Sequence, residues 1–439
     1  MAYFSARPLR VGVRADVRYT PFPLGTSGKA LATSRRGRLS SPVPELVASR
    51  KTPDFALWAI WLILILTFVI LVWAVDVQFR DADSKLYSDI AQTIAKQPIC
   101  EWIAPQWSGF WDREGLFREH PPGVLWVSAS LIRLGAPAGQ AAAIANLLYY
   151  LLNFLFIFKF GRHLDGPTLG WAMVWAAFLI PVTLQYLIRG NLEPPLTLAT
   201  VMGLYAFVRA DRLPLARLLF AAAVTFAVFV KGMQGLIVPI FAGIFWLFWT
   251  RDRWRFLTLI FGTVFMLLIC ALFEWRYRLH TGEEFWFTYM TIQAGIAVKS
   301  LSPWSKLYNL VWYLGRILYF ALPWSLFLLA ARWWPRRDSA SKVYPGSTAW
   351  RWLLVSAATL VLLMAFFERK ADRYVFPAYT LIAMAGGWLV HERFARVRVW
   401  LANAPRRMTM VFAGSLMIAI ILKTIVGKFF YQTIQVWRN

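Results

Sequence analysis

Apolar residues in this chain gather into long runs separated by short polar and charged segments. The runs recur near 57–76, 140–158, 167–187, 194–209, 215–230, 234–249, 256–274, 308–331, 351–367, 374–391 and 408–426. A bilayer core of roughly 30 Å is crossed by about 20 helical residues. The pattern therefore predicts an all-α polytopic membrane protein with about eleven crossings, in the range 11–13.

The longest hydrophilic stretch, 77–139, carries a different periodicity. In "SKLYSDIAQTIAKQ" the residues Leu86, Ile90 and Ile94 stand four apart, the stripe of an amphipathic helix expected to lie on the membrane surface. Residues 122–134 form a second apolar segment, too short to span, and read as another interfacial helix. Counting it as a crossing would invert every later loop. The domain reading is a basic tail over 1–55, expected to be disordered, and a transmembrane domain over 56–430 whose outer loop 77–139 carries the surface helices.

Composition agrees: 59% of residues are hydrophobic, 17% aromatic and only 16% charged. The net charge of +25 would suit a nucleic-acid binder. Its cations, however, sit in short segments between apolar runs, where they act as topology signals. The N-terminal tail is rich in arginine and lysine, so the N-terminus should be cytoplasmic. Threading the runs from there puts Lys159/Arg162, Arg209/Arg212/Arg217, Arg251/Arg253/Arg255, Arg332/Arg336/Arg337 and the cluster from Arg393 to Arg407 on the same side. Segments 77–139, 188–193, 275–307, 368–373 and the C-terminus then face outward. The first apolar run begins only near residue 57, so no cleavable signal peptide is expected. Cys100 and Cys270 have no metal-type spacing, and no structural disulfide is expected between them.

Chemistry concentrates on the outward face. Asp83 opens the amphipathic helix, where it reads either as an N-cap or as a functional acid. Glu193 stands in "YLIRGNLEPPLTL" at the outer end of a run, beside Arg189 and before Pro194 and Pro195, where it reads either as a functional acid or as no more than the structural partner of Arg189. "REHPPG" supplies Arg118, Glu119 and His120 ahead of two prolines, and "FFERKADRYVFPAY" packs Glu368, Arg369, Lys370, Asp372 and Arg373 into one short turn. Lys231, in "FVKGMQG", is a further cation at the outer end of a run. Lys370, Arg373 and Lys231 sit where a phosphate at headgroup level would be met.

The order of these elements resembles the integral-membrane glycosyltransferases of the GT-C class, in particular the 4-amino-4-deoxy-L-arabinose (lipid A) transferase and protein O-mannosyltransferase group. The matching residues are Asp83 with Tyr87, Glu119-His120-Pro121-Pro122, Leu192-Glu193-Pro194, Lys231-Gly232, Pro323-Trp324, and Arg373-Tyr374 with Pro377 and Tyr379. The resemblance covers roughly 57–392. Departures are Ser84 for the acid that often follows the first Asp, His120 for the usual Lys, Glu193 for the second Asp, and Gln293-Ala294 where the lipid A enzymes carry a Glu-His pair.

The resemblance implies sugar transfer from a polyprenyl-phosphate donor to a lipid or glycan acceptor, in the inner membrane of a bacterium with the site facing the periplasm. Asp83 would be the base for an inverting displacement, and Glu193 would orient the acceptor or share the proton. Arg373, Lys370, Lys231, His120 and Arg189 are the candidates for the donor phosphate, supported by Tyr87, Glu119 and Tyr374. No metal ligands are assigned, although a bound divalent ion stays open, and no nucleic-acid partner is expected beside the membrane lipids. The competing classes are a transporter or flippase of lipid-linked saccharides, which would place its site near the midplane, and a non-catalytic scaffold.

Overall fold

A computed structural model describes residues 82–393, apart from 108, 110–113, 187–188, 212–213, 298–301 and 332–348. The basic tail and the expected crossings at 57–76 and 408–426 lie outside the described residues. The chain divides into two units, Met1–Lys51 and Thr52–Asn439, and everything that follows concerns the second.

The described residues are overwhelmingly helical, with one isolated β-bridge between Gln106 and Leu116. The helices are α1 (Ala82–Lys96), α2 (Gly123–Arg133), α3 (Ala138–Asp165), α4 (Pro167–Phe178), α5 (Pro181–Tyr186), α6 (Glu193–Arg209) and α7 (Pro214–Lys231). They continue with α8 (Ile237–Phe245), α9 (Arg253–Thr281), α10 (Phe285–Ala297), α11 (Pro303–Phe320), α12 (Trp324–Ala330), α13 (Ala349–Ala365) and α14 (Phe376–Arg393). The boundaries follow local chemistry. Gly166, at a φ of 85°, ends α3 and Pro167 starts α4. Asp252 accepts from the Arg255 backbone N–H at 2.9 Å and caps α9, and Ser302 does the same for α11 through Ser305.

Helices α6, α7 and α8 run alternately between two ends. Helical hydrogen bonding persists from Pro214 to Thr250, yet the chain doubles back at Lys231-Gly232. A Cβ on Gly235 would come within 2.3 Å of the Ala227 carbonyl carbon. Phe207, near the end of α6, touches both Phe220 at the start of α7 and Phe245 at the end of α8, with ring centroids 5.2 and 6.3 Å away. Trp352 closes the same end, lying 4.2 Å from the Phe245 ring and donating to the Phe241 carbonyl at 2.9 Å.

Three of the described helical runs, Ala138–Asp165, Pro214–Thr250 and Arg253–Thr281, are long and apolar enough to cross a membrane. The pair Pro303–Phe320 and Trp324–Ala330, bent by 102°, makes a fourth if taken as one span. Proline and glycine break several of the other apolar runs into shorter helices, and α4, α6 and α14 are buried among their neighbours. On α9, by contrast, Val264, Leu267 and Leu268 are exposed in a row, as a lipid-facing helix requires.

The short segment before α3 forms α2, as its length implied. The stripe on α1 differs from expectation in its partner. Leu86, Ile90 and Ile94 are almost wholly buried within the main core, among α2 and α3, so protein rather than lipid covers them.

Candidate active site

Four segments far apart in sequence meet at one end of the bundle. The first is the start of α1. Ser84, buried one residue after Asp83, donates to Asn191 Oδ1 at 2.8 Å and accepts from the Gly190 N–H at 3.0 Å. That hydroxyl ties α1 to the loop before α6. Asn146 on α3 holds the same loop by donating to the Asn191 carbonyl at 3.0 Å. The loop thus delivers Glu193 at the first turn of α6, where Pro194 and Pro195 sacrifice only N–H groups that have no intrahelical partner.

The second is the end of α7. Lys231 Nζ lies 2.7 Å from Glu193 Oε1, with side chains only 7% and 4% exposed. An ion pair this deep is tolerated because each charge has the other at contact. Gly232 makes the turn possible: its φ is 53°, and a Cβ there would fall 2.0 Å from the Tyr289 hydroxyl. Tyr289 accepts from the Met233 N–H at 3.2 Å, and Gln234 donates to the Tyr374 carbonyl at 2.5 Å.

The third is the short 3-10 turn Asp372–Val375 ahead of α14. Arg373 forms a salt bridge with Asp83, the two side chains being 24% and 20% exposed. Tyr374 turns its ring toward Lys231, whose Nζ is 5.4 Å from the centroid. Tyr379 donates to the Asp372 carbonyl at 3.0 Å, and Asn309 on α11 donates to the Phe367 carbonyl at 2.9 Å, which fixes the turn from both sides.

The fourth is the turn 118–122. A Cβ on Gly123 would meet the Phe229 carbonyl at 2.8 Å, so the start of α2 lies against the last turn of α7. This brings His120 to Lys231. Its ring stands edge-on to Tyr87 with centroids 6.0 Å apart, and its Nδ1 is buried with no hydrogen-bond partner. Burial first, then the charges of Lys231 and Arg369, push the His120 pKa down to about 3. The imidazole is therefore neutral beside two cations. Arg118 pairs with Glu283, and Gln293 donates to the Glu119 carbonyl at 2.9 Å, so α10 braces this turn from outside.

The sequence-derived candidates thus largely converge. Asp83, Glu193, Lys231, His120, Arg373, Tyr87 and Tyr374 share one end. Two expectations change. Arg189 is not the partner of Glu193, because Lys231 takes that place and the Arg189 guanidinium lies over the Tyr186 ring at 4.9 Å. Lys370 sits at the turn's edge with its ammonium 4.2 Å above the Tyr308 ring. Sequence reasoning missed Ser84, Arg369 and Tyr289 as parts of the site. Ser84 carried a signal as the departure next to Asp83, and Arg369 as one of the charges of its turn; Tyr289 carried none. Among the described residues no three His, Cys, Asp or Glu side chains gather as a metal site would require.

The chain aligns with the crystal structure of ArnT from Cupriavidus metallidurans bound to undecaprenyl phosphate at a TM-score of 0.61. The fold is that of ArnT. The alignment has 18% identity and covers 80% of this chain and 62% of that one. The apo ArnT structure gives a TM-score of 0.59 at 19% identity, covering 78% and 61%. The apo Archaeoglobus fulgidus oligosaccharyltransferase is more distant, with a TM-score of 0.46 and 12% identity over 84% of this chain and 56% of that one. This chain therefore spans about three-fifths of the length of the ArnT structures. Residues 119–275 match the family described as dolichyl-phosphate-mannose-protein mannosyltransferase. No curated protein sequence matches the chain. The resemblance to GT-C membrane glycosyltransferases that the motif order suggested is borne out.

Proposed function

We propose that this protein is a membrane glycosyltransferase that takes a sugar from a polyprenyl-phosphate carrier and passes it, with inversion, to a lipid or glycan acceptor. One observation carries the reading. Two acids, each bonded to a cation from a distant segment, stand at the same end of a fold shared with an ArnT crystallised with undecaprenyl phosphate.

In the displacement, the acceptor oxygen attacks the anomeric carbon and the sugar–phosphate C–O bond breaks, its electron pair leaving on the phosphate oxygen. The acceptor proton goes to Asp83. Arg373 and Lys231 face the departing phosphate, with Lys370 at the rim, and preorganised cations of this kind stabilise charge that develops during reaction. An arriving phosphate competes with Asp83 for the Arg373 guanidinium. Donor binding thereby releases the carboxylate oxygen that must take the proton. Glu193, buried against Lys231, sets the position of that ammonium and orients the acceptor. Tyr87 and Tyr374 wall the site, Arg189 lies beside it, and Glu119 holds the turn that presents His120. No step is routed through a divalent ion.

The location supports the substrate class, because an isoprenoid tail stays in the bilayer while its phosphate and sugar sit at headgroup depth. The opposite end of the bundle carries Lys159, Arg162, Arg209, Arg217, Arg251, Arg253 and Arg255. Positive-inside bias supports a cytoplasmic assignment for that end, and with it our reading of a site that faces the periplasm from a bacterial inner membrane. A site at one end also argues against a transporter, whose site belongs near the midplane.

The test is transfer in nanodiscs with a set of polyprenyl-phosphate sugars, read as release of polyprenyl phosphate, beside mass spectrometry of envelope lipids and glycans with and without the gene. Loss of one defined sugar from the envelope, matched by turnover of its donor, is the expected result. An unchanged envelope and no turnover with any donor would overturn the reading.

A further inference from the structure

We propose that His120 couples phosphate binding at this site to proton uptake: the imidazole is neutral in the empty site and becomes protonated when a phosphate settles between it, Lys231 and Arg369. The inference rests on the polyprenyl-phosphate reading above and deepens it by assigning the proton.

The geometry leaves few alternatives for this side chain. Its Nδ1 is buried and unpaired, a costly condition unless a ligand or water meets it. Every charge bearing most strongly on the ring is positive: Lys231 from the end of α7 and Arg369 from the turn after α13. The other groups around it are the Tyr87 ring from α1, the Asp83–Arg373 pair at the rim, Glu193 behind Lys231, and Arg118 and Glu119 in its own turn. A ring held near pKa 3 by burial first, and then by two cations, is neutral at any physiological pH. A phosphate changes that balance. It offsets both cations and offers an acceptor oxygen to a nitrogen that otherwise has none, so the protonated form gains a charge-assisted hydrogen bond.

The sign follows from linkage. If the filled site binds a proton that the empty site does not, affinity rises as pH falls, by at most about tenfold per pH unit. The window runs from the filled-site pKa down to the empty-site value near 3. The donor is a phosphodiester with one charge, whereas the product is a phosphomonoester whose second pKa is about 6. The product takes up its own proton near pH 6, so only the phosphodiester isolates the proton bound by His120.

The probe is farnesyl methyl phosphate, a phosphodiester whose own charge does not change between pH 5 and 8, so any slope belongs to the protein. Wild-type protein in nanodiscs should bind it at least about tenfold more tightly at pH 5 than at pH 8. Calorimetry at pH 6 in two buffers of different ionisation enthalpy should register net proton uptake, a readout that needs no variant. His120→Gln should bind weakly with no slope. His120→Lys, a permanent cation, should bind without slope and more tightly than wild type at pH 8. Wild-type binding that is pH-independent with no proton uptake overturns the coupling alone, as does an unchanged slope in His120→Gln, which would assign the proton to Glu119 or another acid. Absence of any binding from pH 5 to 8 overturns the polyprenyl-phosphate reading and this one with it.

Discussion

The site contains two carboxylate–cation pairs that differ in depth. Glu193–Lys231 is sealed between α6 and α7 with almost no solvent contact, whereas Asp83–Arg373 sits at the rim with about a fifth of each side chain exposed. The same chemistry therefore has two physical meanings. In the sealed pair neither partner can be removed without stranding a charge, so its first contribution is to the stability and shape of the turn at Lys231-Gly232. At the rim water can replace either partner. Such a pair contributes little to folding and exchanges partners readily, which is what a base and a phosphate clamp need.

The sharpest test of this contrast is Asp83→Asn. Asparagine keeps the shape, and a part-exposed ion pair contributes little to folding, so the melting temperature should stay near wild type. Transfer should fall about 10²- to 10⁴-fold, the usual contribution of a general base. A variant that keeps near-normal turnover leaves Asp83 only its structural pairing with Arg373 and removes the functional half of the comparison.

Next come Glu193→Ala and Lys231→Ala, each expected to destabilise the protein by about 3–5 kcal/mol, read as lost thermal stability in detergent. The double change Glu193→Leu with Lys231→Met should recover most of that stability, because apolar residues of similar volume replace a buried pair at little cost. It should nonetheless remain inactive. If the single variants melt like wild type, the buried pair is not what holds the turn.

Arg373→Ala should fold normally and lose about 10²-fold in transfer with weakened donor affinity. Arg373→Lys should fall between that variant and wild type, since it keeps the charge but loses the planar fork. Wild-type turnover in Arg373→Ala would pass the phosphate role to Lys370 or Lys231. Ser84→Ala is the mildest change. It leaves the Gly190 N–H and Asn191 side chain without their buried partner, at a cost of about 1–3 kcal/mol in stability. Unchanged melting would show that Ser84 does not fasten α1 to the Glu193 loop.

Acid stability offers a further check, through His120 beside Lys231. The His120 pKa is lower folded than unfolded, so the unfolded chain binds the extra proton between about pH 6.5 and the folded value near 3. Native stability should therefore fall with pH through that window. His120→Gln should remove part of the fall in a pH series of melting temperatures.

Much of this protein was readable from one-dimensional pattern. Apolar runs fixed the helical class, the four-residue spacing of Leu86, Ile90 and Ile94 fixed a helix at 82–96, and the prolines at 121–122 and 194–195 marked where helices begin. Those signals are local, because hydrophobic periodicity and missing backbone donors act on a helix before it has neighbours. The cations at one end and acids at the other also declared themselves, since charge cannot stay inside a bilayer without a reason.

What no run of residues could contain was the pairing. Arg189 stands nearer Glu193 in sequence than Lys231 does, yet the fold brings the end of α7 against the start of α6 and sends Arg189 over Tyr186. The stripe on α1 announced an apolar partner without saying whether it was lipid or protein. His120 shows a histidine in a turn, and only the packing of that turn against α7 and Tyr87 leaves one of its nitrogens buried and unpaired near two cations. The physical reason is common to all three. Periodicity and propensity are properties of one segment, whereas partner choice for a charge or a buried polar atom is decided by which other segment reaches it first at contact distance.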